Sequence, residues 1–474
     1  MGERVHLPGK PGPLSNDGPP LLHNRWLIVT AAAVVMMTTG TLYSWAMFTQ
    51  PLLVAFHWDV TTTTWAYAIA NFCLAAIGAV MGGFWQDRVG PRRVAATGVT
   101  LWGVGNLAAG LGTIHWGAPW LYLTYGVVGG VGAGMAYIAP MCMVAKWFPD
   151  RRGVAGGMVA AGFGLGAFIY NQCVPRLAGF HAVARHAGAY LAANTTAAGN
   201  GKLFDAPTAR AAAVLSPMDV ATIMHVFIVS GCIYLVVGLI FVSLFRDPPD
   251  AHAVRPCVAA QDSKRGLRPS QVIRRPQFYL LWLQLFADAI AGITIISNAV
   301  YILHDLTQRP LGDLAPLFGL VSLCNAAGRI LWGAVSDRIG CRQTFVAMFV
   351  IQAAVLFWLT DVHDLHVALV AFGVILLCCG GGFGTMPAYS AEYFGTRFMG
   401  LNYGLILSAW GFAGLVGPLL MARAKDITGS FAGMLPIVGS LLLLSVTLPL
   451  LTAKPRGRAI WDRPLNTADA HEFG

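Results

Sequence analysis

Two side chains in this 474-residue sequence carry charge where charge is costly. Arg329 stands in the otherwise uncharged run 314–335 and Asp288 in the run 277–300, each long enough to cross a bilayer as a helix. An ionised group at that depth costs a few kcal/mol or more, so it is retained for a task, and for a cation the task is usually to meet an anion. Asp337 follows Arg329 in a run that reads as the helix end, and helical rise sets Arg329 about 12 Å into the membrane. Counted from Gln277, the same rise sets Asp288 roughly 16 Å in, so both sit near the midplane of a core about 30 Å thick. Three arrangements are open. The pair can lock two helices, with an attraction on the order of 4 kcal/mol at close range. Arg329 can instead grip a carboxylate through its two-pronged fork, with Asp288 a bystander on the cavity wall. In the third, Asp288 takes up a proton when Arg329 turns to that carboxylate.

The elements that must position these groups follow from composition. Apolar residues make up 56% of the chain and charged ones 11%, which excludes an ordinary soluble domain. Twelve apolar stretches of bilayer length appear at about 26–48, 62–85, 94–113, 119–145, 153–174, 222–245, 277–300, 314–335, 344–361, 365–389, 401–422 and 431–453. All are expected to be helices, because a helix satisfies its own backbone hydrogen bonds in lipid. The net charge of +10 is spread over many short loops rather than gathered on a face, which argues against nucleic acid. If both termini are cytoplasmic, Arg176, Arg185, Lys202, Arg210, Arg309, Arg423 and Lys425 are the outer basic residues, and every other loop Lys and Arg is inside. That satisfies the positive-inside rule.

The chain repeats at an offset near 250. Gly83 to Arg93 (GFWQDRVGPRR) ends the second stretch and Gly333 to Gln343 (GAVSDRIGCRQ) ends the eighth. Gly130, Gly132 and Gly134 in the fourth stretch are mirrored by Gly380, Gly382 and Gly384 in the tenth, small-residue rows that let helix backbones approach. Internal duplication in a twelve-span chain points to two bundles rocking about a central site. Asp87 with Arg88, and Asp337 with Arg338, form candidate gates at the helix ends, where acids pair with basic loops in one state and release them in the other; a static clamp and a topology determinant are the competing readings.

The G-x-x-x-D-R-x-G-x-R loop, present twice, resembles the signature of the major facilitator superfamily, and the resemblance implies that fold over essentially the whole chain. Lys146 to Gly153 (KWFPDRRG), Ala161 to Ala167 (AGFGLGA) and Asn402-Tyr403-Gly404 resemble the oxalate/formate antiporter branch, relatives of the monocarboxylate transporters. The resemblance implies that Arg329, in Gly328-Arg329-Ile330-Leu331-Trp332-Gly333, holds a carboxylate. Asn325 stands where some monocarboxylate carriers have an acid, so Asp288 would supply that function from another helix. Trp410 stands where oxalate carriers bring a lysine, so one cation remains rather than two. That departure favours a monoanion over oxalate.

Tyr43, Asn71, Tyr137, Asn325 and Trp410 complete the candidate substrate pocket around Arg329, although Tyr43 and Trp45 can equally be interfacial anchors. The cysteines read as small apolar residues, and His363 with His366 as solvated loop residues. The expected organisation is a cytoplasmic tail 1–25, a six-helix bundle 26–245, a basic linker 246–276, a second six-helix bundle 277–453 and a tail 454–474, with a long outer loop at 176–220. The expected protein is an all-α, monomeric, multi-pass carrier in a plasma membrane, that of a bacterial inner membrane. It would move a formate-, lactate- or pyruvate-type monocarboxylate with a proton, without a cofactor or metal. Exchange of anions of the oxalate/formate type and a non-transporting nutrient sensor are the alternatives. No nucleophile, base and oxyanion set points to an enzyme.

Overall fold

A computed structural model describes residues 25–177, 180, 183, 217–247, 266–309, 311–428 and 432–453. Both expected tails, most of the outer loop 176–220 and much of the linker 246–276 lie outside the described residues. The described residues are mostly helical, with the main helices α1 (Arg25–Gly40), α2 (Ala46–Phe56), α3 (Val60–Phe72), α4 (Ala79–Val89), α5 (Pro91–Leu121), α6 (Gly130–Trp147), α7 (Arg152–Leu177), α8 (Pro217–Val242), α9 (Pro276–Thr307), α10 (Leu311–Ile339), α11 (Cys341–Leu359), α12 (Leu365–Phe394), α13 (Met399–Thr428), α14 (Met434–Ser445) and α15 (Thr447–Leu451). Ten of the resulting helical stretches are long and apolar enough to cross a membrane. One of them, Pro91–Trp147, is continuous by hydrogen bonding but turns at Gly117, whose φ is 67°. Trp120 folds back there and donates to the Ala108 carbonyl at 2.7 Å, so the break expected between 113 and 119 is a turn rather than a loop.

The duplicated loops build duplicated corners. Gly90 (φ 84°) and Gly340 (φ 89°) both sit in the left-handed region directly before the next helix, a conformation only glycine adopts without strain. The turn folds α5 back beside α4, and α11 back beside α10.

Helices from the two halves of the chain meet along two seams, α7 against α10 and α4 against α13. Both seams are glycine-lined on the side of the Asp87 and Asp337 loops. A methyl group added at Gly153 would strike the carbonyl oxygen of Gly333, and one at Gly83 that of Gly400. The glycine rows of α6 and α12 work within each half: Gly134 abuts Leu74, Gly380 abuts Asn325 and Gly384 abuts Arg329, in each case against the backbone. Side-chain bulk at these positions would push the helices apart and, at Gly384, displace the backbone of Arg329.

Candidate functional site

Helix α10 is clamped at Arg329. A methyl on Gly157 of α7 or on Gly384 of α12 would collide with the Arg329 carbonyl, so two glycines let the backbone sit between both neighbours. The side chain is 1% exposed and all its hydrogen-bond partners are neutral. Nη1 donates to the Ala160 carbonyl on α7 at 2.9 Å. Nε and Nη2 both donate to Oδ1 of Asn325, one turn earlier, at 3.4 and 3.3 Å. Asn325 in turn donates from Nδ2 to the Leu376 carbonyl at 3.4 Å. The fork that would grip a carboxylate is therefore held by an amide oxygen through long, weak contacts.

Aromatic rings enclose the guanidinium. Its Cζ lies 5.5 Å from the Phe163 ring centroid on α7 and 5.3 Å from that of Phe383 on α12. Trp410 on α13 packs edge-on against both, at 5.7 and 5.2 Å, and meets Tyr43 and Tyr137 at 6.0 and 5.8 Å. The cluster draws rings from both halves of the chain around one cation, a geometry in which ring faces stabilise positive charge. Trp410 is 1% exposed and its indole N–H has no hydrogen-bond partner, so the position expected to lack a second cation is filled by an apolar wedge.

A cavity of about 280 Å³ adjoins this cluster. Tyr43, carried on the 3₁₀ turn Thr41–Ser44, and Asn325 line it. Trp45, Ala46, Thr49, Thr64, Tyr67, Ala289, Gly292, Ile293, Cys379 and Phe383 complete the wall. Thr64 and Tyr67 lie near the start of α3, and the chain runs from there through α4 to Asp87, so the cavity occupies the half of the protein away from the duplicated loops. Of the expected pocket residues, Tyr43 and Asn325 reach the wall. Tyr137 and Trp410 lie behind it, within the ring cluster. Asn71 does neither: it is buried against Gly414, with no hydrogen bond to either amide atom. Trp45 is 5% exposed and donates to the Thr63 carbonyl at 3.1 Å, which fixes it inside the first half rather than at a membrane interface.

Asp288 and Arg329 are the two buried charged side chains among the described residues, but they do not pair. The Asp288 carboxylate presses on Gly382 and interacts with the Gln352 amide and, at longer range, with the Arg329 charge. Neither of its oxygens has a hydrogen-bond partner at standard geometry. The ion pair considered from their common depth is absent because Arg329 turns toward α7 while Asp288 turns toward α11 and α12.

The candidate gates also differ in detail from expectation. Asp87, at the end of α4, accepts from the backbone N–H groups of Gly400 and Leu401 at 3.0 Å each. Asp337, at the end of α10, accepts from Gly153 and Val154 at 2.8 and 2.9 Å. Each carboxylate thus caps the first turn of a helix from the opposite half, where unpaired N–H groups and the helix dipole favour an anion. The arginines take no part: Arg88 stacks on Phe84 at 4.0 Å, and Arg338 is exposed. The helix ends make the direct contacts, and at Asp87 the Lys146 side chain adds a positive charge nearby.

Phe163 and Phe383 were not foreseen as site residues, although a signal was present. Each is the bulky residue in a Gly-Phe-Gly triplet, 162–164 and 382–384, where small neighbours bring the backbone close and leave one ring to fill the space. Gln352 and the Ala160 carbonyl gave no such signal, since only packing assigns them.

A polytopic helical protein whose two halves close on a buried, unpaired cation has the architecture of a membrane transporter. The chain belongs to the Major Facilitator Superfamily, whose family profile matches residues 27–418 and, in a second match, 281–461. It is 26% identical over 411 residues to the oxalate:formate antiporter of Oxalobacter formigenes, covering 85% of this chain and 86% of that protein. It is 25% identical to apicoplast pyruvate carrier 1 of Toxoplasma gondii, over 84% of this chain and 77% of the carrier. Monocarboxylate transporter 14 of Mus musculus is 23% identical, over 88% and 89% of the two chains. Among solved structures, the proton:xylose symporter XylE superposes with a TM-score of 0.66 at 15% identity, over 93% of this chain and 99% of that one. The E. coli fucose:proton symporter gives 0.61 at 12%, over 91% and 100%. The protein is thus a multi-pass membrane transporter of the major facilitator fold.

Proposed function

We propose that this protein is a secondary carrier of a small monocarboxylate, of the formate, lactate or pyruvate type, working by alternating access in a bacterial inner membrane. The observation that carries the reading is Arg329: a buried cation at the seam between the halves, with neutral partners only and a cavity beside it. An arriving carboxylate would take the Nε and Nη2 donors from Asn325 and form the bidentate contact that guanidinium favours. A dicarboxylate fits less well, because no described cation stands near Arg329 to meet its second charge. The similarity to an oxalate:formate antiporter and a pyruvate carrier supports the substrate class.

In this reading the chain crosses the membrane twelve times, with Pro91–Trp147 counted twice at its Gly117 turn and α10 added to the remaining stretches. Both termini are cytoplasmic, and the six-helix bundles 26–245 and 277–453 are joined by the linker 246–276. The protein works as a monomer. The seams sealed by Asp87 and Asp337 then face the cytoplasm and the cavity faces outward. Asp288 is the candidate proton carrier, exchanging its proton as the bundles rock. One observation favours anion exchange instead: with Arg329 unpaired, the empty carrier holds a buried positive charge through the return step, and a counter-anion would neutralise it.

Counterflow in proteoliposomes distinguishes the mechanisms. Symport accumulates label in response to a pH step, exchange requires an internal anion, and a sensor moves nothing. Asp288→Asn is expected to abolish the pH-driven component. Uptake that keeps its pH dependence in that variant removes Asp288 from the coupling.

A further inference from the structure

The monocarboxylate reading leaves the body of the substrate open, and the cavity speaks to it. We propose that the ligand is an arylcarboxylate, with its carboxylate on Arg329 and an aromatic ring in the adjoining cavity; the inference rests on the monocarboxylate reading and narrows it.

Three observations lead there. The first is size. The cavity measures about 280 Å³, whereas a cavity of roughly 150 Å³ suffices for benzene and a water occupies about 30 Å³. Formate or acetate, comparable to two or three waters, would leave most of the space without contacts, and unfilled space forfeits dispersion. A benzene ring takes up about half of it, and a short acid arm more, far beyond what formate or acetate occupies. The second is the wall. Tyr43, Trp45, Tyr67 and Phe383 present four aromatic side chains around one space, and ring against ring gains beyond simple area burial. No charged residue among the described ones lines it, so a second carboxylate or an ammonium group would enter unpaired. The third is direction. Asn325 belongs both to this wall and to the Arg329 fork. An acid that displaces its amide oxygen therefore places its carboxylate at the inner end and its body among the rings. The opposite wall is tightly set, since a methyl on Gly292 would strike the Cys379 sulfur, so the pocket cannot shrink round a smaller ligand by moving α9 toward α12.

The test uses purified full-length protein in detergent and isothermal titration with benzoate, phenylacetate, acetate, lactate and oxalate. Benzoate or phenylacetate is expected to bind at least about tenfold more tightly than acetate or lactate, an amount within reach of one or two well-formed aromatic contacts. Tyr67→Leu removes a ring and Ala289→Leu fills the wall, and each is expected to lower the aryl-to-acetate affinity ratio about tenfold. Lactate or acetate binding as tightly as the aryl acids, with all binding lost in Arg329→Ala, overturns the aryl inference while the carboxylate reading stands. Binding of aryl acids that survives Arg329→Ala, or binding of none of the five acids, overturns both. An aryl-to-acetate ratio unchanged in both wall variants also overturns the assignment of the ring to this cavity.

Discussion

Arg329 donates through Nη1 to the carbonyl oxygen of Ala160, 2.9 Å away on a helix from the other half of the chain. The buried cation is therefore also a tie across the α7–α10 seam. Two further donors, Nε and Nη2, rest on Asn325 within its own helix, so a substrate can claim them without breaking the tie. Charge and fork geometry make separable contributions here. Arg329→Lys keeps the charge but loses the planar fork, and is expected to weaken carboxylate binding at least tenfold, in line with the roughly 1.5–3 kcal/mol of a hydrogen bond to a charged group. Arg329→Ala is expected to eliminate binding, read by titration calorimetry. Equal affinity in the lysine variant would mean that the fork contributes nothing.

Asn325→Asp converts the resident amide into an anion already seated on the fork. Substrate uptake near neutral pH is expected to fall by an order of magnitude or more, because the new carboxylate competes for Nε and Nη2. Lowering the pH neutralises that competitor, so uptake is expected to recover toward the parent rate in acid. A pH profile of the variant that parallels the parent would show that Asn325 does not guard the fork.

In the proposed alternating-access cycle, the caps that Asp87 and Asp337 place on helices of the opposite half would be state-specific, existing only while the seams are closed. Replacing either carboxylate by Asn removes charge from the helix end, an effect of about 1 kcal/mol for a cap of this kind. Each substitution is expected to shift the equilibrium about fivefold toward the state open on the duplicated-loop side, and both together by roughly the product. Spin-label distances between α4 and α13, and between α7 and α10, would measure the shift, and unchanged distance distributions would reduce the caps to static contacts.

Gly153 and Gly333 face one another so closely that a methyl on either meets the other's carbonyl oxygen. Gly153→Ala is expected to hold the α7–α10 seam apart and to slow transport at least tenfold. Gly156→Ala, whose added methyl has ordinary clearance of 3.7 Å to the Gly384 carbonyl, is expected to transport within about twofold of the parent, because the buried methyl fits without displacing a neighbour. Initial uptake rates at matched membrane expression compare them.

Much of the molecule is legible in the sequence because lipid imposes strict terms. Apolar run length reports the helices, the distribution of Lys and Arg suggests the sidedness, and the repeated D-R-x-G corner locates two equivalent turns, each with glycine at positive φ. The cost of a charge in hydrocarbon marks Arg329 and Asp288 as residues with a task. What a linear pattern does not carry is direction. From equal depth along their helices, Arg329 and Asp288 had reason to pair, yet their side chains leave on different bearings, toward Ala160 and toward Gln352 and Gly382. The same holds for Asn71, polar in an apolar helix but aimed at Gly414, and for Asp87 and Asp337, which meet helix ends from the other half instead of neighbouring arginines. Hydropathy and helical rise fix a residue's depth. Only the packing of helices far apart in sequence fixes which way it faces, and the ring cluster of Tyr43, Tyr137, Phe163, Phe383 and Trp410, drawn from five separate segments, exists only after that packing is complete.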